Sequence, residues 1–121
     1  MKKVFNYSII IALFVAVGFA SCEKFNIDSI VGEWQMMKEV YYFGGEKQEN
    51  ITSEKWNFTS DGRLIVEGKD AGQYTIEGKT LKIKSYGENV SWQIEKLTKK
   101  ELIIRQSAGK DYYEYHFKKV S

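Results

Sequence analysis

The 121-residue sequence has no proline, one cysteine and one histidine. A lone Cys22 has no partner within the chain, so the disulfide framework on which many small secreted domains depend is excluded. A lone His116 leaves no histidine cluster with metal-ligand spacing. Asp61, Asp70 and Asp111 each fall in a turn-like stretch where Asp bonds its own backbone, and so read as turn chemistry rather than as halves of an acid–base pair. No glycine-rich loop leads from a strand into a helix, and Gly44-Gly45 reads as a flexible loop element. Catalytic residues, metal ligands and a cofactor are therefore not expected. Long hydrophobic runs are also scarce, the longest being the twelve residues Ile9 to Ala20.

That run has a context. Lys2 and Lys3 precede it and small residues, Ala20-Ser21, follow it, which is signal-peptide anatomy. At about 1.5 Å per residue, twelve helical residues reach roughly 18 Å, short of a hydrocarbon core of about 30 Å. Phe19-Ala20-Ser21-Cys22 then resembles a bacterial lipobox, whose cysteine is lipidated on sulfur and becomes the mature N-terminus. An ordinary secretory cleavage would instead leave a free thiol. Two or three acyl chains hold a protein stably where one does not, each buried CH₂ contributing about 0.8 kcal/mol. The expected organisation is a lipoprotein signal peptide over 1–21, a short tether over 22–30 from lipidated Cys22, and one domain over 31–121. The expected location is the outer membrane of a cell envelope, on the periplasmic face or at the cell surface. Acylation of Cys22 also removes it from any Cys-His nucleophile pair.

Net charge excludes another class. The formal +2 disappears with Lys2 and Lys3, leaving 16 basic residues against 16 acidic ones. A nucleic-acid partner needs a concentrated positive surface, so none is expected.

What is abundant is aromatic and β-branched residues, cut by Gly, Asp and Asn clusters every eight to twelve positions, the pattern of an all-β sandwich or barrel. Alternation can be tested through the turns, because residues facing each other across antiparallel strands share a side. A two-residue turn at Gly78-Lys79 sets Ile76 against Leu81 and Tyr74 against Ile83. A three-residue turn at Ser60–Gly62 sets Phe58 against Leu64 and Trp56 against Val66. A five-residue loop, Gly68–Gly72, pairs Val66 with Tyr74, and Tyr86-Gly87 pairs Ile83 with Val90 and Leu81 with Trp92. A three-residue loop, Leu97–Lys99, aligns Ile94 with Leu102, and "SAGK" brings Ile104 to Tyr113 and Leu102 to Tyr115. With a longer first strand from about Gly32 to Phe43, this makes eight strands in meander order, the number that closes a small barrel. The expected fold is an all-β, eight-stranded antiparallel up-and-down barrel.

Gly32-Glu33-Trp34, heading the first strand after "NIDSIV", resembles the Gly-x-Trp signature of lipocalins. With "WNFTSDGRL", "GQYTIEGKTLKI" and "YYEYHFKK" behind it, the chain resembles the small lipocalin-like domains of Bacteroidota lipoproteins over about residues 30 to 120. The resemblance implies that Trp34 plugs the closed barrel end, with Arg105 or Lys118 as candidates for the basic residue that covers it. It also implies that the long connection Phe43–Thr52 crosses the open end. There is no Thr-Asp-Tyr motif between the sixth and seventh strands, where a full lipocalin carries its second signature.

Two roles fit these readings. Trp34, Trp56, Tyr74, Trp92, Tyr113 and Tyr115 fall on or near one interior, where flat apolar faces with a few N–H and O–H groups would hold a small apolar or amphipathic guest. The same side chains are large enough to fill a barrel of this size. In that case the chain is a protein-interaction module, an inhibitor or accessory subunit of an envelope assembly. It would then act through its outer surface, where Met37, Tyr41 and Phe43 are expected to lie exposed. His116 is expected to point outward, and Asp28-Ser29-Ile30 matches a short O-glycosylation pattern.

Overall fold

The two-residue turns set this fold's registers. A computed structural model describes residues 27–120; the expected signal peptide over 1–21 and the expected lipidation site Cys22 lie outside the described residues. Ile27–Ile30 forms one helical turn, α1, whose Ile30 is buried. Nine strands follow: β1 Gly32–Phe43, β2 Glu46–Ile51, β3 Lys55–Phe58, β4 Arg63–Val66, β5 Lys69–Glu77, β6 Thr80–Ser85, β7 Glu88–Leu97, β8 Glu101–Ala108 and β9 Asp111–Lys119. Each of β3 to β8 pairs with the next, and β9 pairs back onto β1. The ring closes because the other edge of β1 binds β3 at its start (Gly32–Gln35) and β2 along its later half (Lys38–Phe43). Strands β2 and β3 are thus one barrel strand interrupted at residues 52–54, and the ring has eight members.

The expected loop over Phe43–Thr52 is instead a hairpin. Gly44 and Gly45, at φ +59° and +85°, supply both left-handed residues of a turn whose twist matches the flanking strands, and Phe43 faces Glu46 directly. Three other registers also differ from expectation. Glu67-Gly68 makes the next tight turn, so Val66 meets Lys69 rather than Tyr74. Lys99-Lys100 replaces the three-residue loop because the Thr98 hydroxyl accepts from the N–H groups of Lys100 and Glu101, and Ile94 meets Ile104 instead of Leu102. A tight turn at Gly109-Lys110 sets Leu102 opposite Phe117 and Ile104 opposite Tyr115. The expected pairs around Gly78-Lys79, Tyr86-Gly87 and Ser60–Gly62 are those present.

These shifts leave the inward faces unchanged, because they move by two residues or are compensated by a bulge. Extra residues stand at Ala71 in β5, Glu95 in β7 and Met37 in β1. The interior accordingly holds Trp34, Met36, Trp56, Phe58, Leu64, Tyr74, Leu81, Ile83, Trp92, Ile94, Leu102, Ile104 and Phe117, with Ile30 beneath. The bulge at Met37 does change one assignment. Beyond it, Glu39 faces Tyr115 and Tyr41 faces Tyr113, so Tyr41 and Phe43 join the inward side rather than the outer surface. Met37 itself stays exposed, at 45%.

The ends of the barrel differ. At the end carrying α1 and the C-terminal strand end, Trp34 is fully buried and its Nε1–H donates to Ile30 O at 2.9 Å. Neither Arg105 nor Lys118 covers its ring. Lys119, directly opposite Trp34 in the register, places Nζ 4.8 Å from the ring centroid. At the other end the wall is uneven, because β1 runs twelve residues and β4 only four.

Candidate functional site

The open end is built on a ladder of rings. Tyr74 and Phe58 lie 4.9 Å apart near the floor, followed by Trp56 with Tyr115 (5.9 Å), Tyr115 with Trp92 (4.7 Å), Trp92 with Tyr113 (5.8 Å), Tyr113 with Tyr41 (5.9 Å) and Tyr41 with Phe43 (6.3 Å). Alternation on β9, β7 and β1 puts these side chains on one face, and the Met37 bulge brings the last two into line. Burial falls along the ladder. Trp34 and Tyr74 are packed in the floor, Trp56 and Trp92 are nearly buried, and Tyr113, Tyr115 and Tyr41 are half-buried. The six aromatics expected to bind a guest thus divide into a filled base and an accessible upper wall.

Polar groups on this wall have partners. The Tyr41 hydroxyl donates to Glu39 Oε1 at 2.5 Å, and that bond, with burial and the carboxylate charge, pushes the phenol up to about 12. Trp56 Nε1–H donates to Glu54 Oε1 at 2.8 Å. Burial raises the Tyr115 phenol, and the charges of Glu39 and Glu54 add to the shift, so both carboxylates act on the same ring. Lower down, the Tyr74 hydroxyl donates to Thr59 O at 2.5 Å, and burial above all pushes it to about 12.

Next to this wall the barrel parts. Strands β7 and β8 pair only as far as Gln93 and Arg105. Beyond that point the Gln106 side-chain amide spans to Ser91 O at 3.2 Å in place of a backbone ladder. A cavity of about 470 Å³ lies there, reached by Trp92, Tyr113, Phe43, Gln106, Arg105 and Asp111 among its lining residues. Asp111 Oδ1 also accepts from Gly44 N–H at 3.2 Å, fastening the β1–β2 turn to the start of β9. Among the described residues, no three His, Cys, Asp or Glu side chains are placed to hold a metal ion.

The outer face of β1, β8 and β9 carries a second cluster, which the sequence reading does not contain. Glu114, only 8% exposed, accepts two bonds from Arg105 on Oε2 and one from His116 Nε2 on Oε1, the last at 2.9 Å. Arg105 also lies 4.1 Å from the centroid of the Tyr112 ring, which stacks on Tyr42. Burial alone would raise the Glu114 carboxyl, but the bonds from His116 and Arg105 outweigh it and hold the group below its ordinary 4.5. A depressed carboxyl stabilises the fold above that ordinary value and loses its contribution as pH falls through the lowered one. Glu114→Gln is therefore expected to cost about 1–3 kcal/mol at pH 7, the range for hydrogen bonds to charged groups. The difference in Tm from wild type should shrink by pH 3. Equal differences at both pH values would show that the charge contributes nothing.

No protein-family model and no curated protein matches the chain. Among solved structures, a lipocalin-like protein from Bacteroides uniformis resembles it, with a TM-score of 0.56 at 17% identity, over 76% of this chain and 99% of that one. The fold is a lipocalin-like barrel. At that identity the likeness concerns the path of the backbone. The contents of the lipocalin-like barrel must be read from its own side chains.

Proposed function

We propose that the chain is a non-catalytic binding protein, held to the outer membrane of a cell envelope by a lipid on Cys22, that takes a small amphipathic molecule at the open barrel end. The Gly32-x-Trp34 segment at the closed end and the lipobox-like run before Cys22 fit a tethered barrel of the Bacteroidota lipocalin-like kind. The cavity of about 470 Å³ beside Trp92 and Tyr113 carries the reading. It falls within the roughly 300–1,000 Å³ of small-molecule sites and combines apolar rings with a few polar groups. Gln106 fills the gap with one side-chain bond where a strand would need a ladder, so a guest has a route through the wall at small cost.

Native mass spectrometry of the chain extracted from envelopes reads both parts of the proposal. The covalent mass should correspond to a leaderless chain acylated on Cys22, and the intact species should carry a guest. Tyr113→Leu, which keeps bulk but removes an accessible ring from the wall, should weaken that guest by about two- to tenfold, from the ~0.5–1.5 kcal/mol of an aromatic contact. Repeated preparations without a guest would end the ligand reading.

A second reading has its own support. Among the described residues no strand lies beside the outer edge of β2, and Ile51 on it is 85% exposed. An unpaired edge is where another chain adds a strand. A guest-free barrel that co-purifies with an envelope protein through this edge would favour it.

A further inference from the structure

The charges around the open end point to the class of guest. Inward positions above Phe117 include Glu39 and Glu54 on the ring-bearing wall, and Glu46, Glu88 and Asp111 at the rim, against one lysine, Lys69. Of these, Asp111 lines the cavity of about 470 Å³, and the others stand on the wall and rim beside it; Arg105 lines it too, but its guanidinium is committed to Glu114 and to the Tyr112 ring. Glu39 and Glu54 have no ion pair among the described residues, and each accepts only a neutral O–H or N–H donor from the ladder. Carboxylates that accept from Tyr41 and Trp56 push electron density into those rings. Such rings attract a cation to their faces more strongly.

We infer that the open end binds an organic cation, an ammonium or quaternary ammonium group on an apolar body, seated on Tyr41, Tyr113 and Trp92 with the charges of Glu39, Glu54 and Asp111 around it. This rests on the open-end reading above and narrows it. An anionic amphipath such as a fatty acid meets repulsion from the same carboxylates in a partly dry site, where Coulomb energies exceed those in bulk water. A neutral guest gains only the ring contacts.

The test uses three soluble probes sharing one ring: benzyltrimethylammonium, benzyl alcohol and benzoate, titrated calorimetrically into the full chain in detergent with a detergent blank. The cation is expected to bind at least about tenfold more tightly than benzoate, with the alcohol between. Glu39→Gln with Glu54→Gln should remove most of that preference, with the thermal melt confirming that the double variant is folded. Benzoate binding as well as the cation, or a preference untouched in the folded variant, would overturn the charge assignment while leaving the open-end site standing. Failure of all three probes would overturn both. The wild-type ranking alone decides the matter if the variant does not fold.

Discussion

Gly72→Ala should lower Tm by roughly 15–25 °C, whereas Gly109→Ala, another glycine at positive φ, should lower it by only about 5 °C, taking ~4–8 °C per kcal/mol for a domain of this size. Gly72 stands at φ +123°, a backbone conformation that side chains oppose. A Cβ there would lie 2.1 Å from Lys84 O, 3.0 Å from Lys84 C and 3.2 Å from Ser85 Cα. All three are backbone atoms of β6, so no side chain can rotate away. Alanine must push β5 off β6 next to the Gln73–Lys84 pair, and this adds about 1–3 kcal/mol of overpacking to about 1–3 kcal/mol of backbone strain. Gly109 sits in an open turn at φ +67° with nothing within 4 Å of the added methyl. Its substitution pays only the left-handed cost of about 1 kcal/mol. Thermal melts of the two variants beside wild type decide the point. Equal losses would mean that the close approach of β5 to β6 is not a constraint.

Gly72 also marks the limit of what the sequence discloses. In "GKDAG" it reads as a turn glycine, whereas the tight turn is Glu67-Gly68 and Gly72 lies inside β5 facing Leu64. The alternation of apolar residues is visible in sequence because each pair across a turn must share a face, and slips of two residues do not disturb that logic. The pairings Tyr74–Ile83 and Leu81–Trp92 are legible for this reason. A bulge is different, since it inserts one residue of no required type. At Met37 it turns the rest of β1 over, and an uninterrupted alternation places Tyr41 and Phe43 outside and ignores Glu39. The signal available was the adjacent apolar pair Met36-Met37. One residue skipped there puts Tyr41 and Phe43 in phase with Tyr113 and Tyr115.

The burial gradient along the ladder was not legible either. Composition shows that the interior is aromatic but not how deep each ring lies, because depth depends on strand lengths and on where pairing stops. The short β4 and the parting of β7 from β8 leave Tyr113 accessible and Trp34 enclosed. The outer cluster around Glu114 depends in the same way on facing residues from two hairpins, with Arg105 opposite Glu114 and Val40 on its far side. Nothing in "RQSAGKDYYEYH" alone assigns that triad.

Trp34→Ala should be the most damaging substitution at the closed end, costing about 3–5 kcal/mol from the cavity it leaves. Removing the indole also leaves the Ile30 carbonyl, buried at that end, without its donor, and strips the face over which Lys119 sits. Against a total stability of about 5–15 kcal/mol, that loss is a large share, and Tm should fall by roughly 15–30 °C or cooperative unfolding should be lost. Trp34→Phe separates the two contributions. It keeps a ring in the plug but removes the N–H, so the remaining loss, about 1–3 kcal/mol, reports the Ile30 hydrogen bond with the smaller ring. The pair also distinguishes packing from guest contact at a residue that sequence reasoning placed among the binding aromatics. If Trp34 is floor, Trp34→Phe lowers Tm while guest affinity, measured well below the melt, stays within about twofold, since a fully buried ring makes no contact that a guest could use. A tenfold loss of affinity in a folded Trp34→Phe protein would place the guest against the plug and require an interior far less filled than the ring ladder from Tyr74 to Tyr113 describes.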